Sequence, residues 1–166
     1  MTPSTSPIIS VFFCKIDLTK GYYQIPIDKE SRPITAFSTH NSQYQFRRLS
    51  FGLRNSGLQF QRTLQEILSN FSSKKVIIYI DDILIITQSF EEHITLLEKV
   101  LNTLVENGIK IKVTKCEFLK EEVRFLGHII SKEGIRKSPE YVQKIKSFPK
   151  PTNVNQLRRF LGLANF

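Results

Sequence analysis

The sequence predicts an α+β fold built on an antiparallel sheet, and three observations lead there. Short β-branched runs occur in pairs joined by brief turns, at 34–37 with 43–49 and at 76–80 with 83–87. Longer stretches repeat apolar residues every three or four positions, as amphipathic helices do. Hairpins and helices mix without the regular strand–helix alternation of a parallel sheet.

Met1 to Ser10 is rich in Pro, Ser and Thr and is expected to be poorly ordered. Val11 to Leu18 (VFFCKIDL) predicts a strand with Asp17 near its end, and Gly21 breaks the pattern before Tyr22. On its own, Asp17 reads as a helix N-cap or turn residue. Ile34–Phe37 and Gln43–Leu49 predict a hairpin around His40 and Asn41, with His40 a solvated loop residue. Asn55-Ser56-Gly57 opens a helix whose face is Phe60, Leu64, Ile67, Leu68 and Phe71. Val76–Ile80 and Ile83–Thr87 predict a second hairpin with Asp81-Asp82 as its two-residue tip. Ser89 and Glu92 form a capping box for a helix carrying Ile94, Leu97, Leu101, Leu104 and Val105, with Gly108 as its stop. His93 is read as a surface residue of that helix. Further strands are expected over Lys110–Thr114 and Val123–Ser131, the latter broken by Gly127, with a turn at Glu133-Gly134. Ser138-Pro139 opens a short helix to Phe148. Pro149 and Pro151 separate it from a last helix with Val154, Leu157, Phe160, Leu161 and Ala164 on one face.

At 166 residues the chain has ample length for a core. No apolar run approaches the ~20 residues of a membrane span. The brief Ile8–Cys14 run lacks a preceding basic region, so no signal peptide is expected and the reading is intracellular. Cys14 and Cys116 match no metal-ligand spacing and read as small core residues. The formal net charge of +9 is uneven. Residues 110–166 hold 13 of the 24 Lys and Arg but only 5 of the 15 Asp and Glu. Such a basic end suits a polyanion, although solvated helix faces also collect lysine.

Asp81 and Asp82 interrupt an otherwise apolar segment. Two adjacent carboxylates repel each other, and burial makes them costly unless they are paired or metal-bound. No Lys or Arg lies between Lys75 and Lys99. A divalent metal would hold the pair; a solvated turn would also accommodate it.

Four blocks stand in order: FCKIDLTKGYYQI at Phe13–Ile25, LSFGLRNSGLQFQ at Leu49–Gln61, YIDD at Tyr79–Asp82 and VRFLGHIISKEGI at Val123–Ile135. Together they resemble the reverse transcriptases of gypsy-type LTR retrotransposons, over nearly the whole chain. The resemblance implies a right-hand polymerase palm at residues 11–131 with partial fingers at about 26–52. Residues 132–166 would be a connection and the beginning of a thumb. The family's segment before the first block and most of its thumb are expected to lie outside these residues, as are RNase H and integrase regions of a parent Pol polyprotein.

The resemblance further implies that Asp17 sits opposite the Asp81-Asp82 hairpin. Asp17 and Asp81 would bind two Mg²⁺ ions, Mn²⁺ being an alternative, with Asp82 as an assisting ligand. The partners implied are an RNA or DNA template with its primer and deoxynucleoside triphosphates. Tyr22 matches the residue that excludes a ribose 2′-hydroxyl, with a core aromatic as the alternative. Phe51 and Gly52 match the nucleotide pocket. Gln61 matches a residue near the template path, and Tyr79 lies in the YIDD block beside the primer. Phe125, Leu126 and Gly127 match the primer grip. Lys115 aligns with a lysine that protonates pyrophosphate, a solvated lysine being the alternative. Ser50 and Gly57 replace prolines usual in the family, loosening that loop by about 1 kcal/mol each. Two other readings compete: a catalytically silent fragment that binds nucleic acid, and a two-metal nuclease, against which the four ordered blocks argue.

Overall fold

The computed structural model describes residues 11–165, so the N-terminal ten residues expected to be poorly ordered lie outside the described residues. The chain forms two compact units, one running to Glu121 and the other from Glu122 onward. In chain order the first unit contains β1 (Phe12–Asp17), β2 (Phe37–Ser38), β3 (Gln43–Tyr44), α1 (Ser56–Ile67), β4 (Val76–Tyr79), β5 (Asp82–Thr87), α2 (Phe90–Glu106) and β6 (Glu117–Lys120).

Its main sheet has the order β4-β5-β1-β6, with every neighbour antiparallel. Alternation along β1 and β5 sends Cys14, Ile16, Ile83 and Ile85 to one face. There they pack with Phe60 and Leu64 of α1 and with Val100 and Leu104 of α2. Burying each of the large side chains contributes on the order of 1.5–3 kcal/mol. The opposite face carries Lys15, Asp17, Asp82 and Tyr79 toward the hairpin end, beside buried Phe13 and Leu84, so the charges gather at one end of a sheet backed by helices.

Helix α2 begins as its capping box requires, Ser89 Oγ accepting from the Glu92 N–H at 3.2 Å. It ends in a Schellman arrangement: Gly108, at φ 71°, donates to the Val105 carbonyl, and Ile109 donates to that of Leu104. Residues 110–114 are not the expected strand. Gln24 takes both backbone groups of Lys110, its Oε1 accepting from the N–H at 2.6 Å and its Nε2 donating to the carbonyl at 2.9 Å. A single bridge, Leu18 to Ile111, remains, and the strand that pairs with β1 is β6.

The hairpin around His40 exists but is shortened to two residues per strand. Ile34 belongs instead to a 3₁₀ turn over Lys29–Thr35, capped by Asp28. Thr35 Oγ1 then accepts from the Phe46 N–H at 2.9 Å, which ends the ladder. Beyond it the chain turns to pair Leu49 with Ile25 and Arg47 with Ile27.

His93 is a correction. It is fully buried, with Nδ1 2.8 Å from Thr87 Oγ1 and Nε2 without a hydrogen-bond partner. Burial pushes its pKa below the ordinary 6.5. As pH falls below that value the unfolded chain takes up a proton that folded His93 refuses, so stability is lost toward acid. Urea midpoints at pH 7.5 and 5.5 are expected to fall in the native chain, and to fall less in His93→Gln. An equal fall in both would remove His93 as the cause. Burial likewise pushes the Cys14 thiol up to about 12, an inert core residue.

The second unit is a three-stranded antiparallel sheet followed by two helices: β7 (Glu122–Phe125), β8 (His128–Ser131), β9 (Gly134–Lys137), α3 (Pro139–Lys146) and α4 (Val154–Asn165). The strand expected over Val123–Ser131 is broken at Gly127 as expected, and the break is a hairpin turn. Leu126 and Gly127 both have positive φ, 49° and 75°, the geometry of a two-residue turn that matches strand twist. Ser138 caps α3 by accepting from the Tyr141 N–H at 3.2 Å. The Tyr141 hydroxyl donates to the Leu163 carbonyl, and Phe148 meets Phe160 at 5.5 Å, so α3 and α4 pack together.

Candidate active site

Asp17 ends β1 and Asp82 begins β5, and the two are directly opposed across the ladder. Asp82 also faces Tyr79 of β4. The hairpin tip is therefore Ile80-Asp81, one residue earlier than expected, with Asp81 exposed on the turn and Asp82 in the sheet. The two registers differ by two residues and put the same side chains on each face, so alternation cannot distinguish them. What selects the observed one is a side chain from α1.

Gln61 spends both ends of its amide on the hairpin. Its Nε2 donates to the Ile78 carbonyl at 2.9 Å and its Oε1 accepts from the Ile80 N–H at 2.6 Å. Ile80 needs that support, because a β-branched residue at φ 52° is unfavourable by about 1–3 kcal/mol. Gln61→Leu leaves both backbone groups unpaired and is expected to cost about 1–3 kcal/mol in denaturant unfolding. A loss below ~0.5 kcal/mol would show that the turn holds without it.

Unlike the local sequence, the fold does supply cations. Lys15 Nζ lies 3.3 Å from Asp82 Oδ1, and Lys115 Nζ lies 3.9 Å from Asp17 Oδ2. Asp81 makes no ion pair among the described residues. The Asp17 carbonyl accepts from the Lys112 N–H at 2.8 Å, and the Asp81 carbonyl from the Leu18 N–H at 3.3 Å, tying the acidic edge to its neighbours.

An aromatic wall stands beside the end of β1. Tyr22 stacks on Phe60 at 4.9 Å and meets Phe51 at 4.7 Å. Phe51 is exposed, and Gly52 follows it at φ 87°, a turn conformation that favours glycine. Ser50 is buried with its hydroxyl unpartnered, while its carbonyl accepts from Ser56 Oγ at 2.7 Å. Thus Asp17, Tyr22, Phe51, Gly52, Gln61, Tyr79, Asp81, Asp82 and Lys115 all lie in the first unit. Phe125, Leu126 and Gly127 form the β7–β8 turn of the second. Lys15 and Ile80 were not singled out from the sequence; the signal for Lys15 is its place two residues before Asp17 on a strand, which puts it on the same face.

Asp17, Asp81 and Asp82 thus lie at one end of an antiparallel sheet backed by helices, in an α+β fold. The chain belongs to the reverse transcriptase (RNA-dependent DNA polymerase) family, whose profile matches residues 8–130. It is 43% identical over 155 residues to the retrovirus-related Pol polyprotein from transposon 297 of Drosophila melanogaster, and 38% identical to that from transposon gypsy of the same organism. Each match covers 93% of this chain and 15% of the relative, so the chain spans about a seventh of those polyproteins. Among solved structures, the foamy viral protease-reverse transcriptase in complex with ds DNA superposes with a TM-score of 0.85 at 35% identity, covering 93% of this chain and 27% of that one. The same enzyme with an RNA/DNA hybrid gives 0.81 at 35%, covering 93% and 21%.

Carboxylates are the donors a hard divalent cation takes, and an ammonium rests against two of the three. Among the described residues no three His, Cys, Asp or Glu side chains converge into a protein cage. The fit to a divalent ion is one of donor chemistry, carboxylate oxygens for a hard cation.

Proposed function

We propose that this chain is the palm, with part of the fingers, of an RNA-directed DNA polymerase that extends a primer 3′-hydroxyl with deoxynucleotides. The observation that carries it is the opposition of Asp17 and Asp82 on adjacent strands with Asp81 on the connecting turn, in a chain of this family. The palm would run over residues 11–131, with fingers at about 26–52 and a connection to the thumb at 132–166. The solved relatives held with ds DNA and with an RNA/DNA hybrid support primer–template as partner. Relatives that are Pol polyproteins support a longer parent chain, with RNase H and integrase regions expected in it.

Asp17 and Asp81 would hold Mg²⁺ or Mn²⁺, with Asp82 assisting. The chemistry supplied with the ions bound is activation of the 3′-hydroxyl and neutralisation of charge on the leaving pyrophosphate. The chain's own part is positioning, which carries most of phosphoryl transfer. Gln61 fixes the turn that bears Asp81. Phe51 and Gly52 line the nucleotide pocket, and Tyr22 presents its ring to the sugar. Lys115, exposed and 3.9 Å from Asp17, would give a proton to pyrophosphate. Within the first unit, exposed Tyr79 would lie toward the primer and Gln61 toward the template. Within the second, the Phe125-Leu126-Gly127 turn would serve as a primer grip.

Tyr22→Val is expected to raise ribonucleotide incorporation about 10–100-fold relative to deoxynucleotide, by removing the ring that meets the 2′-hydroxyl. An unchanged ratio would take Tyr22 out of that role. The function itself is tested by offering the folded chain a labelled primer on RNA and on DNA templates with Mg²⁺ and deoxynucleotides. Lengthening on both supports the proposal. Shortening of the primer points to the nuclease reading, and binding without extension to a silent nucleic-acid-binding fragment.

A further inference from the structure

The three carboxylates are not equivalent before any cation arrives. Asp81 is exposed and makes no ion pair among the described residues. Asp17, itself 20% exposed, has a loose partner 3.9 Å away in Lys115, whose side chain is 60% exposed. Asp82 is paired at 3.3 Å with Lys15, and both side chains are only 21–25% exposed. Strand geometry accounts for this last pair. Lys15 and Asp17 project from the same face of β1, and Asp82 stands opposite Asp17, so Lys15 reaches Asp82 along the diagonal of the ladder. The diagonal neighbour lies within a lysine's reach and outside that of a short side chain. Lys15 is thus anchored in the sheet, whereas Lys115 is a solvated side chain at its edge.

Two physical consequences follow. Like charges directly opposed on neighbouring strands are destabilising, and the ammonium beside Asp82 offsets that repulsion in the cation-free protein. An ammonium donates only and competes with a divalent ion for the same oxygens. A half-buried ammonium is also less screened than a surface one. Asp17 and Asp82 are about equally covered, so the closer and less solvated ammonium is what makes Asp82 the acid least open to a cation, while exposed Asp81 is the most open.

We propose that Lys15 is a positioning residue that withholds Asp82 from the metal site, dividing three neighbouring acids into two ligands, Asp17 and Asp81, and one paired carboxylate. This rests on the metal-site reading above and deepens it, since it assigns the lesser role of Asp82 to a particular partner.

The test is Mn²⁺ binding by the full chain, followed by loss of the free-ion electron paramagnetic resonance signal, which needs no turnover. Lys15→Gln frees Asp82 and is expected to tighten Mn²⁺ roughly 5–10-fold, while Lys15→Arg stays within about 2-fold of native. In an Asp82→Asn background the same Lys15→Gln change should gain less than about 2-fold, because no carboxylate is released. Lys15→Met is run in parallel, so that a folding failure of one neutral variant, seen by circular dichroism, leaves the other. Unchanged affinity in the neutral variants overturns the proposal. So does an equal gain with and without Asp82, which would make Lys15 only a local positive charge. A native affinity matched by Asp81→Asn would instead overturn the metal-site reading itself, and the proposal with it.

Discussion

Asp81→Asn is expected to lower primer extension by about 10³-fold or more while changing stability by less than about 1 kcal/mol. The two effects separate because of where Asp81 sits. It lies exposed on the turn between β4 and β5, outside the ladder, and makes no ion pair among the described residues. Asparagine keeps the size and the turn-forming tendency of aspartate and removes only the charge that a divalent ion requires. Asp82→Asn should do less to synthesis, since that carboxylate is already engaged by Lys15. Single-turnover incorporation, with urea unfolding in parallel, distinguishes the two. Equal losses from both variants would mean that the acids are equivalent after all.

Gly21→Ala should have the second large effect, on the fold and through it on the site. A Cβ at position 21 would stand 2.6 Å from Phe60 Cζ, closer than real Cβ contacts come. Phe60 cannot retreat, because it is fully buried among Cys14, Ile16 and Leu64 and has Tyr22 stacked on it. Overpacking of this kind costs about 1–3 kcal/mol. Displacing Phe60 also displaces the Tyr22 ring, so loss of discrimination against ribonucleotides should accompany loss of stability. A Gly21→Ala chain with native stability and native discrimination would show that Phe60 can move at no cost.

Most of the elements were legible from pattern alone. The stripe on α1, the capping box and glycine stop of α2, and the Ser138 cap all depend on neighbours within one turn, which sequence displays directly. The misplaced elements share one cause: a distant side chain took a backbone group that a strand needed. Gln24 did so at Lys110, Thr35 at Phe46, and Gln61 at Ile80, over separations of 86, 11 and 19 residues. His93 was misread because a helix stripe shows which face is apolar and not how far the neighbouring strand wraps it. At the site the acids stood out as charges in an apolar run. Their countercharges did not, since Lys15 and Lys115 come to Asp82 and Asp17 only through strand pairing and the turn before β6. Gly127 marked the break in Val123–Ser131, and the positive φ of Leu126 and Gly127 turns that break into a hairpin.

The most direct measurement is incorporation of a single deoxynucleotide onto a primer annealed to RNA, with Mg²⁺, by the native chain and by Asp17→Asn. Primer–template affinity is followed for both by fluorescence anisotropy. Incorporation by the native chain and none by Asp17→Asn, at matched affinity, is the predicted result, because Asp17 and the hairpin acids act as one charged edge on an otherwise shared binding surface. Undiminished incorporation by Asp17→Asn would contradict it and place the chemistry elsewhere in the chain.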